Sequence, residues 1–228
     1  MSDRRVALVT GANRGLGRAV AAELLARGLR VVVTARDAGA AAATARELGP
    51  GAEGRVLDVT SPESVTRARD AVGPVDVLVG NAGVLLEDGT GDPLSVPVDV
   101  VERTLEVNLL GSWRVAQAFV PAMVERGWGR VVFVSSGTGS FSNGLFAGSP
   151  GYAVSKAGLN GLTQMLATAT EGTGVLVNAV NPGPTRTRMM PGGRRSAEEA
   201  AVDVVDAALL PDDGPSGTFR RGDQVLGW

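Results

Sequence analysis

The 228-residue chain contains no cysteine and no histidine. Without thiols it has no disulfides and no cysteine nucleophile. Without imidazole it has no histidine-based triad and no zinc site of the usual nitrogen and sulfur kind. Two other residue types occur once each, Tyr152 and Lys156, and the remaining 21 basic residues are all arginine. Charge is sparse as well, at 20% of residues with a formal net charge of −2, which leaves no electrostatic footprint for nucleic acid or an anionic membrane. No N-terminal apolar segment resembles a signal peptide and no run approaches membrane length, so a soluble cytoplasmic protein is expected. Acid–base chemistry is thereby left to tyrosine, lysine, carboxylates or a cofactor.

The length suits one domain, and 44% hydrophobic residues suffice for its core. The sole tyrosine and the sole lysine stand four positions apart in Tyr152-Ala-Val-Ser-Lys156. A composition that uses arginine wherever positive charge alone is wanted marks Lys156 as a place for a compact ammonium with three rotatable donors. On a helix, residues i and i+4 share a face, so the ammonium lies near the phenol. A nearby positive charge favours phenolate and draws the phenol pKa down toward working pH, which makes a proton donor and acceptor. The same spacing also describes a half-buried aromatic beside a solvated side chain.

Taken in order, the apolar run Arg5–Thr10 leads into Gly11-Ala-Asn13-Arg14-Gly15-Leu16-Gly17 and then a helical stretch stopped by Gly28. A strand, a glycine turn and a helix aim free backbone N–H groups at a phosphate, although an ordinary tight turn has the same composition. A second strand, 30–34, ends at Ala35-Arg36. In a dinucleotide fold that position meets the adenosine ribose, and an arginine there, with Arg14 nearby, favours the 2′-phosphate of NADP(H) unless both are plain surface charge. Asp58, followed by Val59, closes a third strand as an adenine-amine acceptor or as a cap. A fourth strand, 75–79, ends in Gly80-Asn81-Ala82-Gly83, where small residues permit close approach of a ligand. Residues 98–125 read as one long helix holding Asn108, a polar group among leucines that must be hydrogen-bonded, either to backbone or to something specific. A fifth strand, 130–135, ends at Ser135 and Ser136. A sixth, 175–180, ends in Asn181-Pro182-Gly183-Pro184-Thr185-Arg186-Thr187, and Ser196 to Glu199 forms a capping box before a last helix. Strands alternating with helices give an α/β fold, a single doubly wound parallel sheet with helices on both faces and ligands bound at the strand carboxyl ends.

With Thr10-Gly-Ala-Asn-Arg-Gly-Leu-Gly17, Asn81-Ala-Gly83, Asn108, Ser136, Tyr152-x-x-x-Lys156 and Pro182-Gly-x-x-x-Thr187 in this order, nearly the whole chain resembles the short-chain dehydrogenase/reductase family. Its tail and its Thr-Ala-Arg at the second strand are most similar to the NADPH-dependent, carbonyl-reductase-like branch. The resemblance implies a Rossmann-type fold over residues 1–228, and a catalytic tetrad of Asn108, Ser136, Tyr152 and Lys156. It implies NADP(H) held by Gly11, Asn13, Arg14, Gly15, Leu16, Gly17, Arg36, Asp58, Val59, Asn81, Ala82, Gly83, Tyr152, Lys156, Pro182, Gly183, Thr185 and Thr187, with NAD(H) the lesser alternative. It further implies a homodimer or homotetramer. Two departures stand out: Gly80 replaces the family's usual asparagine, and the segment at about 184–196, which in relatives folds over the substrate, is short and arginine-rich, suiting an open pocket.

The expected reaction is hydride transfer between NADP(H) and a small to medium carbonyl or alcohol, with Tyr152 as general acid or base, Ser136 on the carbonyl oxygen, Lys156 on the nicotinamide ribose and Asn108 positioning a water. Phe141, Phe146, Met189, Met190 and Trp113 fit a substrate lining or the core equally well. Ser135 is an alternative to Ser136. The same site suits a reaction without net redox, and the same fold suits a non-catalytic dinucleotide sensor.

Overall fold

The computed structural model describes residues 4–228. Its eight strands are β1 (Val6–Val9), β2 (Arg30–Ala35), β3 (Ala52–Val56), β4 (Val77–Gly80), β5 (Gly129–Val134), β6 (Val175–Val180), β7 (Phe219–Arg221) and β8 (Gln224–Leu226). They form one sheet in the order β3-β2-β1-β4-β5-β6-β7-β8. The first seven run parallel, and β8 returns antiparallel to β7. The residues beyond 218 thus add two strands to the six read from the sequence. Gly222, at φ 53°, supplies the left-handed turn between them.

Seven helices cover the sheet: α1 (Gly15–Ala26), α2 (Ala38–Leu48), α3 (Pro62–Val72), α4 (Val98–Leu105), α5 (Ser112–Arg126), α6 (Pro150–Ala169) and α7 (Ala197–Ala208). The period of two along each strand divides the core. Ala7 and Val9 face one cluster with α1 and α7, whereas Leu8, Val32, Leu78 and Phe133 face another with α3, α5 and α6. Ser196 and Glu199 form the expected capping box of α7, at 3.1 and 2.7 Å.

The single helix expected over 98–125 is interrupted. Between α4 and α5 lies one wide turn of π-helix, Glu106–Gly111, with Asn108 at its centre. Inserting a residue in this way turns side chains that a regular helix would point elsewhere, and such bulges gather at functional sites. Gly111 allows it, since a Cβ there would lie 2.6 Å from Val59 Cγ2.

The far end of the sheet is fastened by the buried Arg130. Its guanidinium meets Asp212 at 2.6 Å and the Leu210 carbonyl at 2.8 Å, and it stacks on Trp128, whose other neighbour is Arg5. Burial lowers the Arg130 pKa, and the Asp212 contacts oppose this.

Gly80 also has a physical reason. It pairs with Phe133 in the neighbouring strand, and a Cβ on it would stand 2.6 Å from that ring. Gly80→Ala is therefore expected to destabilise the fold by roughly 1–3 kcal/mol through overpacking, read as a fall in the denaturant midpoint, with Phe133→Leu in the same chain restoring part of it.

Candidate active site

The glycine turn that joins β1 to α1 is built for close approach. A Cβ on Gly17 would collide with the Asn81 amide and lie 2.5 Å from the Gly11 carbonyl, and Gly11 itself sits at φ 61° against Ala82. Helix α1 opens at Arg14, whose side chain caps nothing, and its first turn holds no acidic residue. The first-turn N–H groups of Gly15, Leu16 and Gly17 thus point outward with the positive end of the helix dipole, an arrangement that accepts a phosphate. Arg14 and Arg36 are both exposed, and neither forms an ion pair among the described residues.

Several predicted dinucleotide residues turn out to brace this turn. Asn81 donates to the carbonyls of Thr10 and Gly11 at 2.8 and 3.1 Å, and the Thr10 hydroxyl accepts from the backbone N–H of Asn81 and of Ala82, both at 2.9 Å. Asn13 accepts from Thr44 through its carbonyl. Leu16 packs against the first core cluster and Val59 belongs to the second. Asp58 closes a local turn, accepting from the Thr60 N–H and hydroxyl at 3.0 and 2.8 Å, while the cap of α3 is Ser61. Burial tends to raise its pKa, yet the two Thr60 bonds and the charge of Arg36 hold it below the usual value. The proximity of Arg36 places that arginine at the carboxyl end of β2 as expected.

Beyond β4 and β5 stand the residues expected to carry proton chemistry. Ser135, 2% exposed, is committed to Asn160 at 2.6 Å, so it is not the reactive serine. Ser136 accepts from the N–H and the hydroxyl of Thr138, at 3.2 and 3.0 Å. With both lone pairs engaged, its own O–H is left to donate, and the Tyr152 phenol is the neighbour on which it acts. Burial pushes that phenol up to about 12, and the Ser136 bond works against the rise. Lys156, buried, donates from Nζ to the Val134 carbonyl at 2.8 Å and lies 5.5 Å from the centre of the Tyr152 ring. Burial lowers its pKa to about 8. Desolvation thus dominates both groups, and the phenol is protonated at neutral pH.

Asn108 is fully buried at the π turn. Its Oδ1 accepts from the Val84 N–H at 2.8 Å, and its Nδ2 donates to the Val84 carbonyl at 2.9 Å and to Ser155 at 3.0 Å. The amide thus bonds Val84 and Ser155, which makes Asn108 a tie between the loop after β4 and helix α6. Gly83 lies between Asn108 and Lys156, since a Cβ on it would stand 3.3 Å from Asn108 Oδ1 and 3.8 Å from Lys156 Nζ. Sequence reasoning took Thr10 only as the head of the glycine motif, not as the brace of Asn81 and Ala82, and missed Thr138 and Ser155, whose hydroxyls bind a neighbour and carry no spacing signature.

The segment after β6 folds back on itself. The Arg186 N–H donates to the Arg195 carbonyl at 2.8 Å, and the Arg195 side chain grips Asp203 at 2.6 Å and the Pro182 carbonyl at 2.9 Å. Gly183 turns the chain at φ 73°, and the Thr185 hydroxyl is directed at the carbonyls of its own loop. Thr187, by contrast, comes over the glycine turn, its methyl 3.5 Å from where a Gly15 Cβ would be. Met189 and Met190 are each 42% exposed beside it, and Phe141 and Phe146 are exposed on the loop after Ser136. None of the four belongs to a core cluster, which removes the core reading. Trp113 is carried by α5 rather than by these loops. A groove of about 600 Å³ lies near the start of β6, lined by residues such as Gln164, Thr168, Glu171 and Asp212, away from all of these groups.

A mostly parallel α/β sheet with an open glycine turn and a Ser–Tyr–Lys array at its strand ends defines a nucleotide-dependent enzyme scaffold. Residues 5–198 match the short chain dehydrogenase family, and the chain belongs to it. It is 38% identical over 191 residues to the 3-oxoacyl-[acyl-carrier-protein] reductase of Escherichia coli (strain K12), covering 81% of this chain and 75% of that one. Among solved structures it is similar to a short chain dehydrogenase/reductase family protein, with TM-score 0.87, 30% identity and 97% of each chain covered. It is also similar to the salutaridine reductase of Papaver somniferum, with TM-score 0.84, 28% identity, and 97% and 100% of the two chains covered.

Proposed function

We propose that the chain is an NADP(H)-dependent ketoreductase whose substrate is a 3-oxoacyl thioester or a ketone of similar size. The observation that carries this is the grouping of Ser136, Tyr152 and Lys156 beyond the end of β5, with Lys156 Nζ held by the Val134 carbonyl 5.5 Å from the centre of the Tyr152 ring. When bound, NADPH supplies the hydride. The Gly11–Gly17 turn would hold its pyrophosphate, Arg14 and Arg36 its 2′-phosphate, and Lys156 its nicotinamide ribose. Ser136, with an O–H to donate, polarises the carbonyl oxygen, and Tyr152 gives its proton to that oxygen as negative charge develops there. The ammonium of Lys156 then stabilises the phenolate left behind. The exposed Phe141, Phe146, Met189 and Met190 offer an apolar wall to the acyl part, and the short segment at 184–196 leaves the entrance open. The names of the 3-oxoacyl relatives support the thioester class. The reading carries a cytoplasmic location and a homodimer or homotetramer.

The test is NADPH oxidation with acetoacetyl-N-acetylcysteamine, together with titration of NADPH and NADH against the wild type and Arg36→Ala. NADPH is expected to bind more tightly, and the substitution to weaken it by about 10–100-fold, the worth of one charge-assisted hydrogen bond, while leaving NADH unchanged. Equal affinity for the two cofactors in the wild type would overturn the NADP(H) assignment.

A further inference from the structure

The helix that carries Tyr152 and Lys156 is capped from a distant loop. Ser149, at the cap position of α6, makes no side-chain cap, and Pro150 at the first helical position has no N–H to satisfy. The next two N–H groups both go to Glu87, which stands 64 and 65 residues away: Oε1 accepts from Gly151 at 2.7 Å and Oε2 from Tyr152 at 3.0 Å. Gly151 makes room for the carboxylate, since a Cβ there would lie 3.4 Å from each oxygen and 3.2 Å from the Val101 backbone. The two loops are also joined by the Gly91 N–H donating to the Gly148 carbonyl at 2.8 Å.

We propose that Glu87 is a positioning residue for Tyr152, fixing through the start of α6 where the phenol stands and how firmly it keeps its proton. The inference rests on the ketoreductase reading above. Its electrostatic part follows from the sign of the charges. The amino end of a helix is positive and favours phenolate in its first turn, and a carboxylate bound to the same N–H groups offsets that field. The other charged groups on α6 and the elements packed against it are Lys156 on α6 itself, Asp99, Glu102 and Arg103 on the exposed side of α4, of which Asp99 and Arg103 pair at 3.0 Å, and Glu106 on the π turn, paired with Arg114 at 2.7 Å. Asp88, next to Glu87, is exposed and bound by Thr90. The Ser136–Gly139 turn carries no charge.

Because Tyr152 is the only tyrosine, tyrosinate absorbance in a rapid alkaline pH jump reads this one phenol. Glu87→Gln, which keeps shape but loses the charge and one acceptor, is expected to lower the tyrosinate midpoint by about half a unit. It should also cut kcat for the acetoacetyl thioester by about tenfold, through loss of orientation, with KM for NADPH within twofold. Glu87→Asp keeps the charge on a shorter arm, so its midpoint should stay with the wild type while kcat falls. An unmoved midpoint in Glu87→Gln, or an unchanged kcat, overturns the proposal. If Tyr152→Phe is inactive while Glu87→Gln is fully active, the role of Glu87 falls and the ketoreductase reading stands. If Tyr152→Phe is active, that reading falls first.

Discussion

Tyr152→Phe is expected to bind NADPH as tightly as the wild type and to lose turnover by a factor of about 10²–10⁴, the usual contribution of a positioned acid. The ring stays, so packing between Ser136 and Lys156 is kept, and the lost atom is the one that carries the proton. No other residue at the site replaces it: the Ser136 hydroxyl can donate a hydrogen bond but is a far weaker acid than a phenol, Lys156 donates to Val134, and the chain has no histidine. Single-turnover NADPH oxidation with the acetoacetyl thioester, beside a fluorescence titration of cofactor, separates the two effects. A near-wild-type rate would show that the proton comes from elsewhere.

Lys156→Met is expected to act in opposite directions on activity and stability. Turnover should fall by about 10²-fold or more, since both the charge beside the phenol and the proposed ribose anchor are removed. Stability at neutral pH should rise, because the ammonium is buried and its pKa is held at about 8 against 10.5 in the free side chain. Between those values the unfolded chain binds the proton and the folded chain does not, so wild-type stability increases with pH across that window, and below about pH 8 the full cost of the buried charge is present. The melting-temperature gain of Lys156→Met should therefore be largest at neutral pH and shrink toward pH 10. A variant less stable than wild type at pH 7 would mean that the Val134 hydrogen bond outweighs the desolvation.

Much of this was legible before any coordinates, for a physical reason. Strands buried on both faces write themselves as apolar runs, as 175–180 does without error, and turns that need positive φ or close contact demand glycine, as at Gly11 and Gly183. The Tyr152–Lys156 pair was visible because each residue is unique in the chain. What was not legible depends on contacts between distant segments. The π turn at Asn108 is set by Val84 and Ser155, the necessity of Gly80 by Phe133 on another strand, and the cap of α6 by Glu87 from a loop with no periodicity. The phenol pKa went the other way from the sequence expectation because spacing reveals the neighbouring charge but not the desolvation. Asp58 illustrates the same limit: its place at a strand end was readable, whereas its bonds to Thr60 were not.

The scarcity of lysine gives the protein a chemical handle. Among its side chains only Lys156 is a primary amine, and with its pKa held at about 8 an appreciable fraction is unprotonated and nucleophilic in mildly alkaline buffer. An amine-directed reagent small enough to enter would thus modify the protein at one side chain, at a rate set by how often that buried pocket opens. Labelling followed by intact-mass measurement would turn the breathing of the site into a count of adducts, with protection by added dinucleotide as its control.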